Sequence, residues 1–255
     1  MQGTLIISGT NSGNKLTMNY KIFGYTNFHY VYLAKYWSNY MDKLGLDYTL
    51  YCIDQKSFDH LTKKKKKCVF YRDQAQDRFD FTDFGLIRFK ILLDLLSKYE
   101  YVIYSDTDAI WIGNPLGDIL KEPYDIHLST VHHKEAYPQS VRNKWGITVC
   151  TGWMGFNRSS SDLIRNFISH YHLFNGNDQQ KFNEFLYSIN NRIDKSVNQH
   201  SFVLNLHKYK LKALGISKNL IHRGKMVEGS KVVHPVISPR DIKEKITCLR
   251  NALEK

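Results

Sequence analysis

Residues 101–111 read YVIYSDTDAIW: four apolar or aromatic positions and a serine, then two aspartates one residue apart, an alanine, an isoleucine and a tryptophan. The opening run has no polar alternation, which is the pattern of a strand buried within a core. In an extended segment residues i and i+2 face the same way, so Asp106 and Asp108 are expected to point together while Thr107 points away. Two carboxylates brought so close need a reason. A turn role at the strand's end is one, since aspartate is favoured there. The other is a divalent cation, because paired carboxylates are hard oxygen ligands suited to Mg2+ or Mn2+.

The residues before this stretch set its place in a fold. TDFGLIRFKILLDLLSKY offers Thr82 or Asp83 as cap of a Leu- and Ile-rich helix leading into YVIYS. Further back, KIFGYTN gives a strand over 21–26, and Asn27 is placed to cap a helix. In that helix Tyr30, Leu33, Ala34, Trp37, Met41 and Leu44 recur at helical spacing before Gly45. DYTLYCID and CVFYR read as the next strands. Strand, helix, strand with short loops is a right-handed crossover with parallel strands. The pattern predicts an α/β fold: a Rossmann-like, mostly parallel central sheet with helices on both faces and ligands at the carboxyl ends of the strands.

Residues 1–20 read as a peripheral arm or hairpin. After 120 the pattern is less regular, with strands expected at DIHLST, ITVCTGWMGFN and FVLNLHKYKLKAL, and helices near 160–172, 178–188 and 239–253. No repeat or linker divides residues 21–255.

A hydrophobic content of 42% lets 255 residues bury a substantial core. Against 24 Asp and Glu, 36 Lys and Arg leave a formal charge of +12, which favours polyanionic partners such as nucleotides, nucleic acid or an acidic membrane. Part of that excess is Lys63 to Lys67, a run expected to be a solvated helix end or a weak membrane-surface contact. The cysteines at 52, 68, 150 and 248 lack CxxC spacing and are expected as reduced, structural thiols. No apolar run approaches the ~20 residues that span a bilayer, and MQGTLIISG lacks a signal peptide's basic start. A cytoplasmic location is the expectation.

With these residues in place, SDTDAIWIGNP resembles the DxDxxWxxxP signature of the nucleotide-diphospho-sugar transferase family, glycosyltransferases of the GT-A fold that include plant rhamnogalacturonan xylosyltransferases. The likeness takes in YTN, the acidic end of YCID, the basic residues of LIRFK and NDQQKFN, and runs through most of residues 21–190. The resemblance implies a nucleotide-binding half over 21–120 and an acceptor-binding half over 121–255. It implies Asp106 and Asp108 on Mn2+ or Mg2+, with Asp106 also near the donor's ribose. Thr26, Asn27 and Asp54 would meet the nucleotide, and Arg88 or Lys90 would reach the donor. Asp178 would hold sugar hydroxyls and Gln179 would lie near the anomeric carbon in a retaining reaction, whereas in an inverting one Asp178 is the first choice of general base.

The same resemblance makes His234, ahead of His222, the third metal ligand. No HxGxxKPW follows it, so the lysine expected on the diphosphate is unassigned, with Lys231 and Lys243 nearby. CTGWMGFN departs from the NxG form of relatives. Gly152 and Trp153 are candidates for the floor of the sugar pocket, with core packing the alternative for the tryptophan.

The implied activity is transfer of a sugar from a nucleotide diphosphate donor, UDP-xylose or UDP-galactose by resemblance, to a hydroxyl of a glycan or glycoconjugate. Two rival readings start from the same residues. A haloacid-dehalogenase-like phosphatase also ends a strand on DxD, but it needs a downstream DD or GDxxxD, which this chain lacks. A basic nucleic-acid-binding protein fits the charge, but no recognition motif appears and no specific nucleic-acid partner is expected.

Overall fold

A computed structural model describes residues 3–8, 15–71, 84–131, 138–190, 193–198, 201–216, 220–223, 228–235 and 241–253. Thr82 and Asp83, named above as caps, and the side chain of His222 lie outside what is described. In chain order the elements are β1 (Gly3–Ser8), β2 (Lys15–Thr26), α1 (Val31–Lys43), β3 (Tyr48–Cys52), α2 (Gln55–Lys63), β4 (Cys68–Phe70), α3 (Phe84–Leu96), β5 (Tyr101–Ser105), β6 (Ile110–Trp111), α4 (Leu116–Ile119), β7 (Ile126–Val131), α5 (Gln139–Trp145), β8 (Thr148–Asn157), α6 (Ser161–His170), α7 (Asp178–Ile189), β9 (Asp194–Asn198), β10 (Ser201–Leu206), β11 (Leu211–Gly215), β12 (Ile221–Arg223), β13 (Val232–His234) and α8 (Ile242–Leu253).

The main sheet has the order β4-β3-β2-β5-β8-β7-β11-β10-β9, with β1 paired to β2. Strands β4, β3, β2 and β5 are all parallel, as the crossover pattern demands. Strand β8 inserts between β5 and β7 and runs antiparallel to both, while β11 is parallel to β7. Each face carries its own core. Phe23, Val102 and Tyr104 pack with α3, α5, α6 and α7 on one side. Ile22, Tyr101 and Ile103 pack with α1, α4 and Leu61 of α2 on the other. That two-sided cover is why YVIYS is apolar without alternation: all five residues are buried.

A second, three-stranded sheet of order β12-β13-β6 decides where the chain's late residues go. Strand β6 follows the two aspartates directly, and β13 pairs antiparallel with it, Val232 opposite Trp111 and Val233 opposite Ile110. Two residues of pairing thus carry His234 back to Asp108.

The run Lys63 to Lys67 ends α2. Lys66 pairs with Asp42 at 2.8 Å and the Lys67 ammonium stands 5.2 Å from the Tyr48 ring centre, so part of the run is engaged within the protein. Among the described residues Cys52, Cys68 and Cys150 take part in no disulfide. Among the described residues no helix is long and apolar enough to cross a membrane.

Candidate metal and donor site

The strand carrying the two aspartates stops at Ser105, and residues 106–109 form a turn closed by the Ala109 amide donating to the Asp106 carbonyl at 3.0 Å. The carboxylates therefore converge through a turn, not through the alternation of an extended strand. Strand periodicity extends only as far as the ladder that supports it. The turn is pinned from below by Ser105, whose Oγ accepts from the indole N–H of Trp37 at 3.1 Å and of Trp111 at 2.9 Å. Both rings are fully buried, which gives the tryptophan of DxDxxW its local purpose.

Asp106, Asp108 and His234 each offer one ligand atom, and these atoms lie within 4.8 Å of one another. His234 Nε2 stands 3.1 Å from Asp108 Oδ1 and 3.6 Å from Asp106 Oδ2. Lys245 on α8 donates to the other oxygen of Asp108, and Tyr104 donates to Asp106 Oδ1. Asp108 is 8% exposed. Burial alone would push its carboxyl up, but the charges and hydrogen bonds of His234 and Lys245 outweigh it and hold the group well below the usual carboxylate range. The same contact works in reverse on His234: burial opposes its proton, yet Asp108 and then Cys150 raise it to about 10. Two carboxylates and one imidazole nitrogen, already gathered at a buried point, are a donor set that fits Mn2+ or Mg2+.

On the other side of Asp106 lies Arg88, from α3. Its guanidinium pairs with Asp178 Oδ2 at 3.0 Å and Asp106 Oδ1 at 3.8 Å, donates to the Thr151 carbonyl at 2.9 Å, and lies 4.7 Å from the Tyr104 ring centre. Burial disfavours its charge, but Asp178 overrides that and the pKa lies well above the free arginine value. Asp178 opens α7 without capping it. Asn177 is the cap, in a reciprocal box with Gln180, so Asp178 is left to accept from Thr151 Oγ1 at 2.8 Å and to meet Arg88. Asn183, one turn on, bonds both backbone groups of Val149 and fastens α7 to β8. Gly85 makes the approach feasible: a Cβ there would lie 2.3 Å from Asp178 Cβ.

Strand β8 joins the two sides. Its pairing with β7 shifts register between Leu128 and Ser129, whose partners are Met154 and Cys150, so residues 151–153 bulge toward the site. Thr151 reaches Asp178 and Arg88, and the Gly152 carbonyl accepts the Asp106 amide at 2.8 Å. Trp153 is fully buried against Trp111, so of the two candidates for a pocket floor only Gly152 lines the cleft. The cleft has a volume of about 330 Å³, and Arg88, Asp106, Asp108, Asp178, Gln179 and His234 all line it.

The remaining candidates sit elsewhere. Asn27 accepts from the Tyr30 amide, and Asp54 accepts from the amides of Ser57 and Phe28, each at 2.7 Å. Both are caps, and with buried Thr26 they tie the ends of β2 and β3 together beside the half-exposed ring of Phe28. Lys90 lines a separate groove with Asp94 and Arg158, because it lies two residues beyond Arg88, which is over half a turn round α3. Lys231 pairs with Asp118, and Lys243 is exposed. The lysine in the cleft is Lys245, which the sequence reading missed. The available signal was its place between Ile242 and Ile246, on the inward stripe of α8.

The sequence of residues 46–236 matches the family model described as nucleotide-diphospho-sugar transferase. A search of curated proteins finds no match. Among solved structures, a glycosyltransferase involved in glycosylation of the major capsid of PBCV-1 superposes with a TM-score of 0.56 at 10% identity, covering 91% of this chain and 98% of that one. Mouse xyloside xylosyltransferase 1, apo form, gives 0.52 at 12% identity over 85% and 97%. The galactosyltransferase LgtC, in complex with donor and acceptor sugar analogues, gives 0.51 at 11% identity over 91% and 95%. At such identities the likeness is one of fold, the GT-A fold.

Proposed function

The chain belongs to the nucleotide-diphospho-sugar transferase family and is a glycosyltransferase, and from that premise we propose that it is metal-dependent and moves one sugar from a uridine diphosphate donor, of xylose or galactose type, to a hydroxyl of a glycan or glycoconjugate. The observation that carries this reading is the meeting of Asp106, Asp108 and His234 in one cleft with Arg88 and Asp178. Family and fold displace the phosphatase alternative.

Asp106, Asp108 and His234 would hold Mn2+ or Mg2+, which supplies Lewis-acid stabilisation of the negative charge that gathers on the departing diphosphate. Lys245, fixed beside Asp108, adds a second positive charge on that side of the cleft. Phe28 and the backbone around Asn27 and Asp54 offer the nucleoside a flat apolar face and polar edges at the ends of β2 and β3. Asp178 holds sugar hydroxyls through the oxygen that Arg88 and Thr151 leave open, and Gln179 lies next to it at the start of α7. Because Arg88 grips both Asp106 and Asp178, the diphosphate end and the sugar end of the donor are set by one buried guanidinium.

The test is donor hydrolysis over a panel of nucleotide sugars with Mn2+, with chelator, and for Asp108→Ala. Turnover of a uridine donor in Mn2+, abolished by chelator and by the substitution, is expected. Equal activity in all three conditions refutes metal dependence.

A further inference from the structure

We propose that Cys150 is the positioning residue of His234: its sulfur accepts the Nδ1–H of the imidazole and so aims the Nε2 lone pair at the point shared with Asp106 and Asp108. The proposal rests on the metal-site reading above. Cys150 Sγ lies 3.4 Å from His234 Nδ1, while Nε2 on the far edge of the ring faces Asp108 at 3.1 Å. A neutral imidazole has one N–H and one lone pair. When Nε2 ligates a cation the proton must sit on Nδ1, and a buried N–H needs an acceptor. The sulfur is the atom in place to take it. Cys150 is 1% exposed, so bulk water does not reach that edge.

The rest of β8 shows that this contact is built and not incidental packing. Gly152, two residues on, approaches the same ring so closely that a Cβ there would stand 2.4 Å from His234 Cε1 and 2.5 Å from Nδ1. Ser129 Oγ reaches both the Cys150 carbonyl at 3.0 Å and the Trp153 carbonyl at 3.1 Å, closing the base of the bulge and fixing the backbone that carries the thiol. The ring is therefore held on one edge by Cys150, packed along another by Gly152, and free to ligate only through Nε2. Partners of this kind on a ligating histidine are worth about 10- to 100-fold in metal affinity.

The experiment is Mn2+ binding to the full chain, read from the electron paramagnetic resonance signal of free Mn2+, for wild type, Cys150→Ser, Cys150→Val and Cys150→Ala. Valine is close to cysteine in size and has no acceptor; alanine has none and cannot crowd the site. Both are expected to weaken binding about tenfold, while serine, whose hydroxyl accepts, stays much nearer wild type. Co2+ bound to the wild type should show no sulfur-to-metal charge-transfer band in the near ultraviolet. Wild-type affinity in the valine or alanine variant overturns the proposal, as does serine as weak as alanine, or a charge-transfer band, which would make Cys150 a ligand itself. A wild-type chain that binds no Mn2+ overturns the metal reading beneath it, an outcome distinct from any pattern among the variants.

Discussion

Arg88 Nη2 stands 3.0 Å from Asp178 Oδ2, a pair whose side chains are 8% and 20% exposed and which joins the middle of α3 to the first residue of α7. Removing one member of a buried pair leaves the other charge unpaired, at a cost of about 3–5 kcal/mol. Here Asp106 also loses one of its cationic neighbours, so Arg88→Met should lower the melting temperature by about 10 °C. Arg88→Lys should fall between, because an ammonium lacks the fork that serves two carboxylates and the Thr151 carbonyl at once. Thermal melts of both variants and of Arg88→Met with Asp178→Asn check this. The double variant should lose clearly less than the two single losses added, and strict additivity would show that the pair does not act as one unit.

Ser105 gives a second prediction. One hydroxyl oxygen accepts from two buried indoles, so Ser105→Ala orphans two N–H groups where an ordinary Ser→Ala orphans none or one. At about 1–3 kcal/mol for each buried donor left unmade, the loss should be about 2–6 kcal/mol by urea titration, with a change in tryptophan emission. A loss below about 0.5 kcal/mol would mean that the indoles find other acceptors.

These two sites mark what the sequence made legible. YVIYS announced a strand covered on both faces, because an unbroken apolar run means just that. Asn27 announced a helix start, because capping is a rule about neighbours. His234 came into view through family resemblance, and the β6–β13 pairing that delivers it is two residues long and has no signature of its own. Lys245 reaches Asp108 from 137 residues away, and the bulge that turns Thr151 and Gly152 into the cleft depends on which strands flank β8. Strand periodicity reports which face of a segment is buried but not which strand lies beside it. The turn at 106–109 shows the same limit at closer range.

Gly152 supplies a third prediction, on metal affinity. A methyl group at this position must displace His234 or Asp106, since it would also lie 2.9 Å from Asp106 Oδ2. Gly152→Ala should weaken Mn2+ binding by tenfold or more while costing about 1–3 kcal/mol of stability. Gly117→Ala is the control: it lies in α4 with nothing within 4 Å of the added carbon, and should be neutral or stabilise by about 0.5–1 kcal/mol. Unchanged Mn2+ affinity in Gly152→Ala would show that the two ligands can shift without losing the ion.

The last prediction concerns acid stability and turns on His127, a buried histidine outside the cleft. It lies on β7, 1% exposed, with Nδ1 2.6 Å from the Tyr101 hydroxyl and no partner for Nε2 among the described residues. Burial pushes its pKa down to about 4 from the ordinary value of 6.5, against a smaller upward pull from Asp125. Between those values the unfolded chain binds a proton that the folded chain refuses, so stability falls as pH drops through this window and is fully present above 6.5. Integrated from pH 7.5 to 5, the loss is about 2 kcal/mol. His127→Leu removes the titration. It also leaves the Tyr101 hydroxyl without its partner, but that penalty is the same at every pH. The variant should therefore be less stable than wild type at pH 7.5, and the gap should narrow by about 2 kcal/mol at pH 5. Urea titrations of both proteins at the two pH values measure the gap directly, and a gap independent of pH would place the proton on His127 in the folded state as readily as in the unfolded one.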